Sequence, residues 1–244
     1  MKQPTSHQAQ GRPALVNWLG YIAITLLLIL PLAVLTVRAG AWQQGLILFA
    51  IACLGSAIVL LLGALLMLLP RFASWRKAMT GRILFALPGT LILLSAMGSG
   101  SYPRIHDIST DLQDPPVFTA AVQQRGSDSN SLQTDMETLA LQAQGYPDLQ
   151  TLVLARDYEA VFDRSVQVAT EMGWDIYLQD RNAGVIEAVD TTALMGFKDD
   201  VVIRLRTNAE GTLVDLRSVS RVGLGDMGAN AKRISAFIER LQSQ

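Results

Sequence analysis

The chain has 244 residues, half of them hydrophobic, with 20 basic and 21 acidic side chains. All of the Asp and Glu lie between Asp107 and Glu239, whereas residues 1–106 carry basic charges only. This asymmetry is that of a membrane anchor followed by a soluble domain. The single cysteine, Cys53, excludes an intrachain disulfide, CxxC redox chemistry and zinc knuckles, and reads as a small apolar residue inside a hydrophobic run.

A tail over residues 1–17 precedes a transmembrane region over residues 18–102. Trp18 to Val37 is free of charge and long enough, at about 1.5 Å per residue, to cross roughly 30 Å of hydrocarbon. Leu46 to Leu69 is a second span, stopped by Pro70 and Arg71. Ile83 to Met97 is a shorter third, which reaches full length if Gly98 to Tyr102 continue it. Pro31 and Pro88 are expected to kink the first and third spans. The small-x-small triplet Ala39-Gly40-Ala41 has the look of a signal-peptidase site, but the apolar run before it is longer than a usual signal core and Arg38 intrudes. Ala52, Ser56 and Gly63 share one face of the second span and would admit a close neighbour. Arg71, Arg76, Lys77 and Arg82 crowd the second connection while the first holds Arg38. The positive-inside rule therefore puts the N-terminus and the second connection in the cytoplasm and everything after the third span on the far side. No ionisable residue lies within the three apolar runs, which argues against ion or proton transport through them.

Residues 103–155 form a lead with three prolines at its start, expected to be extended and rich in turns, with a short surface helix over Ser131 to Gln144. Asp107, Ser109, Thr110 and Asp111 are expected to close turns on their own backbone. Residues 156–244 form an α+β core. Asp157 to Gly173 has the spacing of an amphipathic helix. Four strands follow, Trp174 to Gln179, Val185 to Thr191, Val201 to Arg206 and Leu213 to Ser220, and Ala231 to Leu241 closes as a helix. The predicted architecture is thus a membrane-anchored α+β protein: three transmembrane helices, then an antiparallel four-stranded sheet with two helices on one face.

Alternation places Arg204, Arg206, Asp215 and Arg217 on the sheet face away from the helices. Two readings fit: an ion-pair lattice on a half-solvated sheet, or an anion site in which guanidinium forks grip carboxylate or phosphate oxygens. Gly223-Leu224-Gly225-Asp226-Met227-Gly228 matches GxGxxG after a strand and before a helix. Asp226 would repel a pyrophosphate, and the further parallel strand of a dinucleotide fold is not there. A tight turn in which Asp226 or Asn230 caps the last helix is preferred, with a weaker anion site at that helix end assisted by Arg221 and Arg233. Asp199-Asp200 with Glu187 falls short of the oxygens calcium needs, and one histidine beyond the spans, His106, excludes multi-histidine metal sites. The acidic excess of the domain argues against nucleic acid.

Several runs of this sequence, IHDISTDLQDPPVF (Ile105–Phe118), YPDL (Tyr146–Leu149), GW (Gly173-Trp174), IEA (Ile186–Ala188), FKDDVVIR (Phe197–Arg204) and VDLRSVSRVGLGDMGANAKRI (Val214–Ile234), resemble the bacterial and plastid family catalogued as domain of unknown function fourteen ninety-nine. Three preceding spans resemble a common bacterial form of that family. The resemblance implies an integral inner-membrane protein of a Gram-negative bacterium with a periplasmic domain, and carries no catalytic residue, cofactor, metal or ligand with it. The leading functional reading is non-enzymatic, with the domain binding an envelope protein or an anionic lipid head group through Arg204, Arg217, Arg221 and Arg233, joined by Asp226 and Asn230. The alternatives are an envelope hydrolase or transferase using Asp199, Asp200 or Glu187, and a structural subunit of a membrane complex.

Overall fold

The computed structural model describes residues 14–98 and 102–243. Most of the tail expected over residues 1–17, and the proposed continuation of the third span over 99–101, lie outside the described residues. The chain divides into two compact units, residues 1–100 and 101–244.

The first unit is helical. α1 (Ala14–Arg38) and α2 (Trp42–Leu68) are continuous; after them come a 3₁₀ turn (Pro70–Trp75), α3 (Arg76–Ile83), a second 3₁₀ turn (Leu84–Ala86) and α4 (Leu87–Gly98). Three helical stretches, Ala14–Arg38, Trp42–Leu68 and Pro70–Gly98, are long and apolar enough to cross a membrane. The third departs from expectation, because its length comes from the N-terminal side, where Pro70 opens a 3₁₀ turn that tolerates a missing N–H. Pro88 sits in the first turn of α4 rather than mid-helix. Small residues allow close approach: a Cβ on Gly45 would lie 2.5 Å from Val37 Cγ2 of α1, and one on Gly89 2.6 Å from Ser56 Oγ. The small face of α2 is therefore filled by α3 and α4 of the same chain, with Ile83 closing on Gly63.

The second unit is an α+β domain. Its sheet has six strands, not four: β1 (Asp107–Ser109), β2 (Leu152–Leu154), β3 (Asp175–Asp180), β4 (Val185–Thr191), β5 (Lys198–Asn208) and β6 (Gly211–Ser220). The order is β1-β6-β5-β4-β3, all antiparallel, with β2 also on β6. β1 pairs with Arg217 to Val219 and β2 with Thr212 to Val214, so two three-residue strands lie end to end along one long one. Neither shows an alternating pattern of its own; β6 supplies the template.

Helices α7 (Tyr158–Glu171) and α8 (Ala229–Gln242) both bury their apolar stripes against one sheet face. Asp157 caps α7 by accepting from the Glu159 N–H at 3.0 Å. Phe162, Ile234, Phe237 and Leu241 meet Ile186, Val201, Ile203, Leu205, Val214 and Leu216 in one cluster, and Trp174 stacks on Phe237 with ring centroids 5.4 Å apart. The opposite sheet face was expected to meet water. Instead the lead crosses it, carrying α5 (Ala121–Gln124), and Phe118, Ala121 and Leu132 pack on Val185, Val202 and Val219. Further along, the lead forms α6 (Met136–Gly145), shorter than the helix expected over Ser131 to Gln144 and shifted towards its C-terminal end, and then β2.

Candidate functional site

Apart from Arg206, which stays exposed, the charged face of β5 and β6 is enclosed between the sheet and the lead. Arg217 is only 2 % exposed and forks onto Asp107 of β1, with Nε donating to Oδ1 at 2.9 Å and Nη2 to Oδ2 at 2.7 Å. Its remaining donors reach the carbonyls of Pro116 and Leu132, and Phe118 lies against the guanidinium at 5.5 Å. Arg221 grips Asp200 in the same bidentate way, at 3.0 and 2.7 Å, while Arg125 of the lead reaches Asp200 from the other side. Burial lowers the Arg125 pKa, an effect offset in part by the Asp200 charge. Arg204 donates to Asp111, Asp114 and Asp215, and Arg206 adds a 2.7 Å bond to Asp215.

Glu187 is fully buried beneath α5. Its carboxylate accepts from the N–H groups of Thr119, Ala120 and Ala121 and from the Thr119 hydroxyl at 2.6 to 3.1 Å, so a strand side chain satisfies the free amides where a helix begins. The Tyr177 hydroxyl is buried near these groups without a hydrogen-bond partner, and burial drives its pKa up strongly.

On the helix side, Arg233 of α8 donates to Asp190 at 2.6 Å, to Asp199 at 2.5 Å and to Ser218 and Asn230. Asn230 is buried and also donates to the His106 carbonyl and to Ser220. Asp226, not Asn230, serves the start of α8: its carboxylate accepts from the N–H of Gly228 at 2.9 Å and of Asn230 at 2.6 Å. Asp199 and Asp200, adjacent in β5, therefore point to opposite faces, one to Arg233 and the other to Arg125 and Arg221. They do not form a cation pair with Glu187, and among the described residues no group of three or more His, Cys, Asp or Glu is placed to hold a metal.

These contacts give the candidate residues a shared chemistry. Arg204, Arg217 and Arg221 belong to the lead-facing layer; Arg233, Asn230 and Asp226 belong to the helix-facing layer and the turn before α8. Each of the four arginines donates to at least one carboxylate of the same chain, with which an external anion would have to compete, while the buried Arg204 Nε has no hydrogen-bond partner. Asp107, Asp111, Asp114, Arg125 and Asp190 complete the lattice and were not singled out by sequence as partners of these arginines. The signal for Asp107, Asp111 and Asp114 was the run of acids in the lead, opposite in sign to the basic alternation of β5 and β6.

The family model described as protein of unknown function (DUF1499) matches residues 107–241. The chain belongs to the DUF1499 family. The match begins at Asp107, the partner of Arg217, and ends at Leu241, the last core residue of α8, so the DUF1499 region covers the whole paired lattice. No curated protein matches the sequence.

Proposed function

We propose that this DUF1499 protein is a non-catalytic binding module of the bacterial inner membrane, with three spans, a cytoplasmic N-terminus and a periplasmic domain that binds an envelope protein or an anionic lipid head group. Anchoring is supported by the three apolar helices, which leave Leu28, Leu35, Leu61 and Leu68 more than 60 % exposed, a surface that water would penalise and lipid would not. The orientation is supported by the cluster Arg71, Arg76, Lys77 and Arg82 between the second and third spans.

One observation carries the preference for binding over hydrolysis. Glu187, Asp199 and Asp200, the carboxylates on which a hydrolase would depend, are at most 3 % exposed and spend their oxygens on backbone amides or guanidinium groups. A general acid or base has to reach substrate within hydrogen-bond distance, and these are held away from it. Two measurements test the reading. Alkaline phosphatase fused after Gln244 should be active in cells, and an inactive fusion of a stably inserted protein would overturn the orientation. Native mass spectrometry of the full-length protein in mild detergent should retain an anionic lipid or a second protein chain; a preparation that carries neither would overturn the binding role.

A further inference from the structure

The end of the domain where its chain begins is built unlike the rest of it. Three segments meet there: residues 102–106, the loop 192–197 between β4 and β5, and the loop 221–228 between β6 and α8. The Arg221 N–H donates to the Lys198 carbonyl at 3.0 Å and the Asp226 N–H to the Ile105 carbonyl at 3.2 Å, which ties the three together. Large apolar side chains stand out from this end: Leu194 is 60 % exposed, Leu224 68 % and Met227 58 %. Met227 has a left-handed backbone, φ 54°, between Gly225 and Gly228.

The charges there are also different. Elsewhere the arginines of the domain are mostly locked into ion pairs, but Arg104, Lys198 and Lys232 are exposed and form no ion pair among the described residues. Lys232 holds its ammonium 5.1 Å from the Tyr102 ring centroid. Of the neighbouring acids, Asp190 and Asp199 are committed to Arg233 and Asp226 to the amides of Gly228 and Asn230. Asp175 at the start of β3 is exposed, as are Asp148 and Glu239, which line the same cavity as Lys232 and Tyr102 without an ion pair to Lys232 among the described residues. Apolar tips beside unpaired cations are the chemistry of a segment that lies in the head-group region of an anionic bilayer.

We propose that this end of the domain docks on an anionic lipid bilayer, with Leu194, Leu224 and Met227 entering the acyl boundary and Arg104, Lys198 and Lys232 lying among head-group phosphates. The proposal deepens the binding role and rests on the membrane-anchored reading above. Chain connectivity favours lipid as the occupant: in sequence Tyr102 stands four residues after Gly98, the end of a helical stretch long and apolar enough to cross a membrane. A second copy of the chain is the poorer fit, since three apolar side chains fall far short of the area of a stable protein interface. The other exposed apolar residues, such as Val117 and Val122, flank Arg125, whose charge Asp200 already neutralises.

The test uses full-length protein carrying Cys53→Ala, with single spin-labelled cysteines at Leu224, Met227, Leu28 or Glu210, in liposomes of phosphatidylglycerol and phosphatidylcholine. Labels at 224 and 227 should be more accessible to oxygen than to a water-soluble nickel complex, as at 28. The label at 210, in the turn at the other end of the β5–β6 hairpin, should show the reverse. The preference at 224 and 227 should be lost in the Arg104→Glu, Lys198→Glu, Lys232→Glu variant and weakened in pure phosphatidylcholine. If 224 and 227 are in water while 28 is in lipid, docking is wrong and anchoring stands. Shielding of 224 and 227 from both reagents would mean that protein covers them, and would overturn lipid as the occupant. A charge-reversed variant that keeps its depth would overturn the head-group contacts, and a label at 28 in water would overturn the membrane reading and this proposal with it.

Discussion

Glu187 shows how a buried charge can hold two layers together. Four donors converge on it, three of them backbone amides that no other group reaches. Glu187→Ala removes the partner of all three amides, of which that of Ala121 is buried, and should cost about 3–5 kcal/mol in chemical denaturation; a loss below about 1 kcal/mol would mean that the lead does not sit on this side chain. Asp111 makes a pH-dependent contribution. Burial pushes its carboxyl up, but the amides of Asp114 and Gln113, then Arg206 and Arg204, outweigh it and hold the pKa below the usual carboxylate range. A depressed folded-state pKa stabilises the fold above the unfolded value, near pH 4, and that stability is lost as the pH falls through the folded value. The urea midpoint of the wild type should therefore drop more between pH 6 and pH 3 than that of Asp111→Asn. Equal drops would show that Asp111 contributes nothing to acid sensitivity.

Among the elements, β6 organises the sheet because it is long enough to pair with β5 on one side and with both β1 and β2 on the other. Gly211 makes the second of these contacts possible: its φ is +137°, and a Cβ there would lie 2.1 Å from the Leu154 carbonyl oxygen. Gly211→Ala should destabilise the domain by about 2–3 kcal/mol, whereas Gly126→Ala, which meets nothing, should stay within about 0.5 kcal/mol. Similar thermal shifts for the two would refute the close approach of β2. The sequence made the longer elements legible, because α7, α8 and β4 to β6 each carry their own period. β1 and β2 were not legible: Asp107 and Ser109 are polar yet buried, and three residues hold no pattern. The same cause hid the cover on the charged face. Alternation put Arg204 and Arg217 on the side away from the helices, which is where they lie, but their partners are acids of a proline-rich lead whose polarity reads as solvent exposure.

For the whole molecule, the division into a helical unit and an α+β unit matters more than any boundary inside the latter. The lead contributes two strands, a capped helix and six of the fourteen ion pairs among the described residues, so several buried charges of residues 156–244 have their partners outside that segment. A fragment of those residues would strip Arg217 and Glu187 of their partners and uncover Val202 and Val219, and should show collapsed amide dispersion by NMR, whereas the fragment 102–244 should be well dispersed; a well-dispersed 156–244 would show that the lead is an accessory. The span of these pairs also governs how the domain is made. Asp107 meets Arg217 across 110 positions of sequence, and Thr110 meets Asp215 across 105. Contacts of such separation have to close a long loop before they repay it, which slows folding. The lead is synthesised first and satisfied last. It waits, hydrated and open to proteases, until the β5–β6 hairpin has been made, so the domain completes its fold only when nearly all of it has been translated.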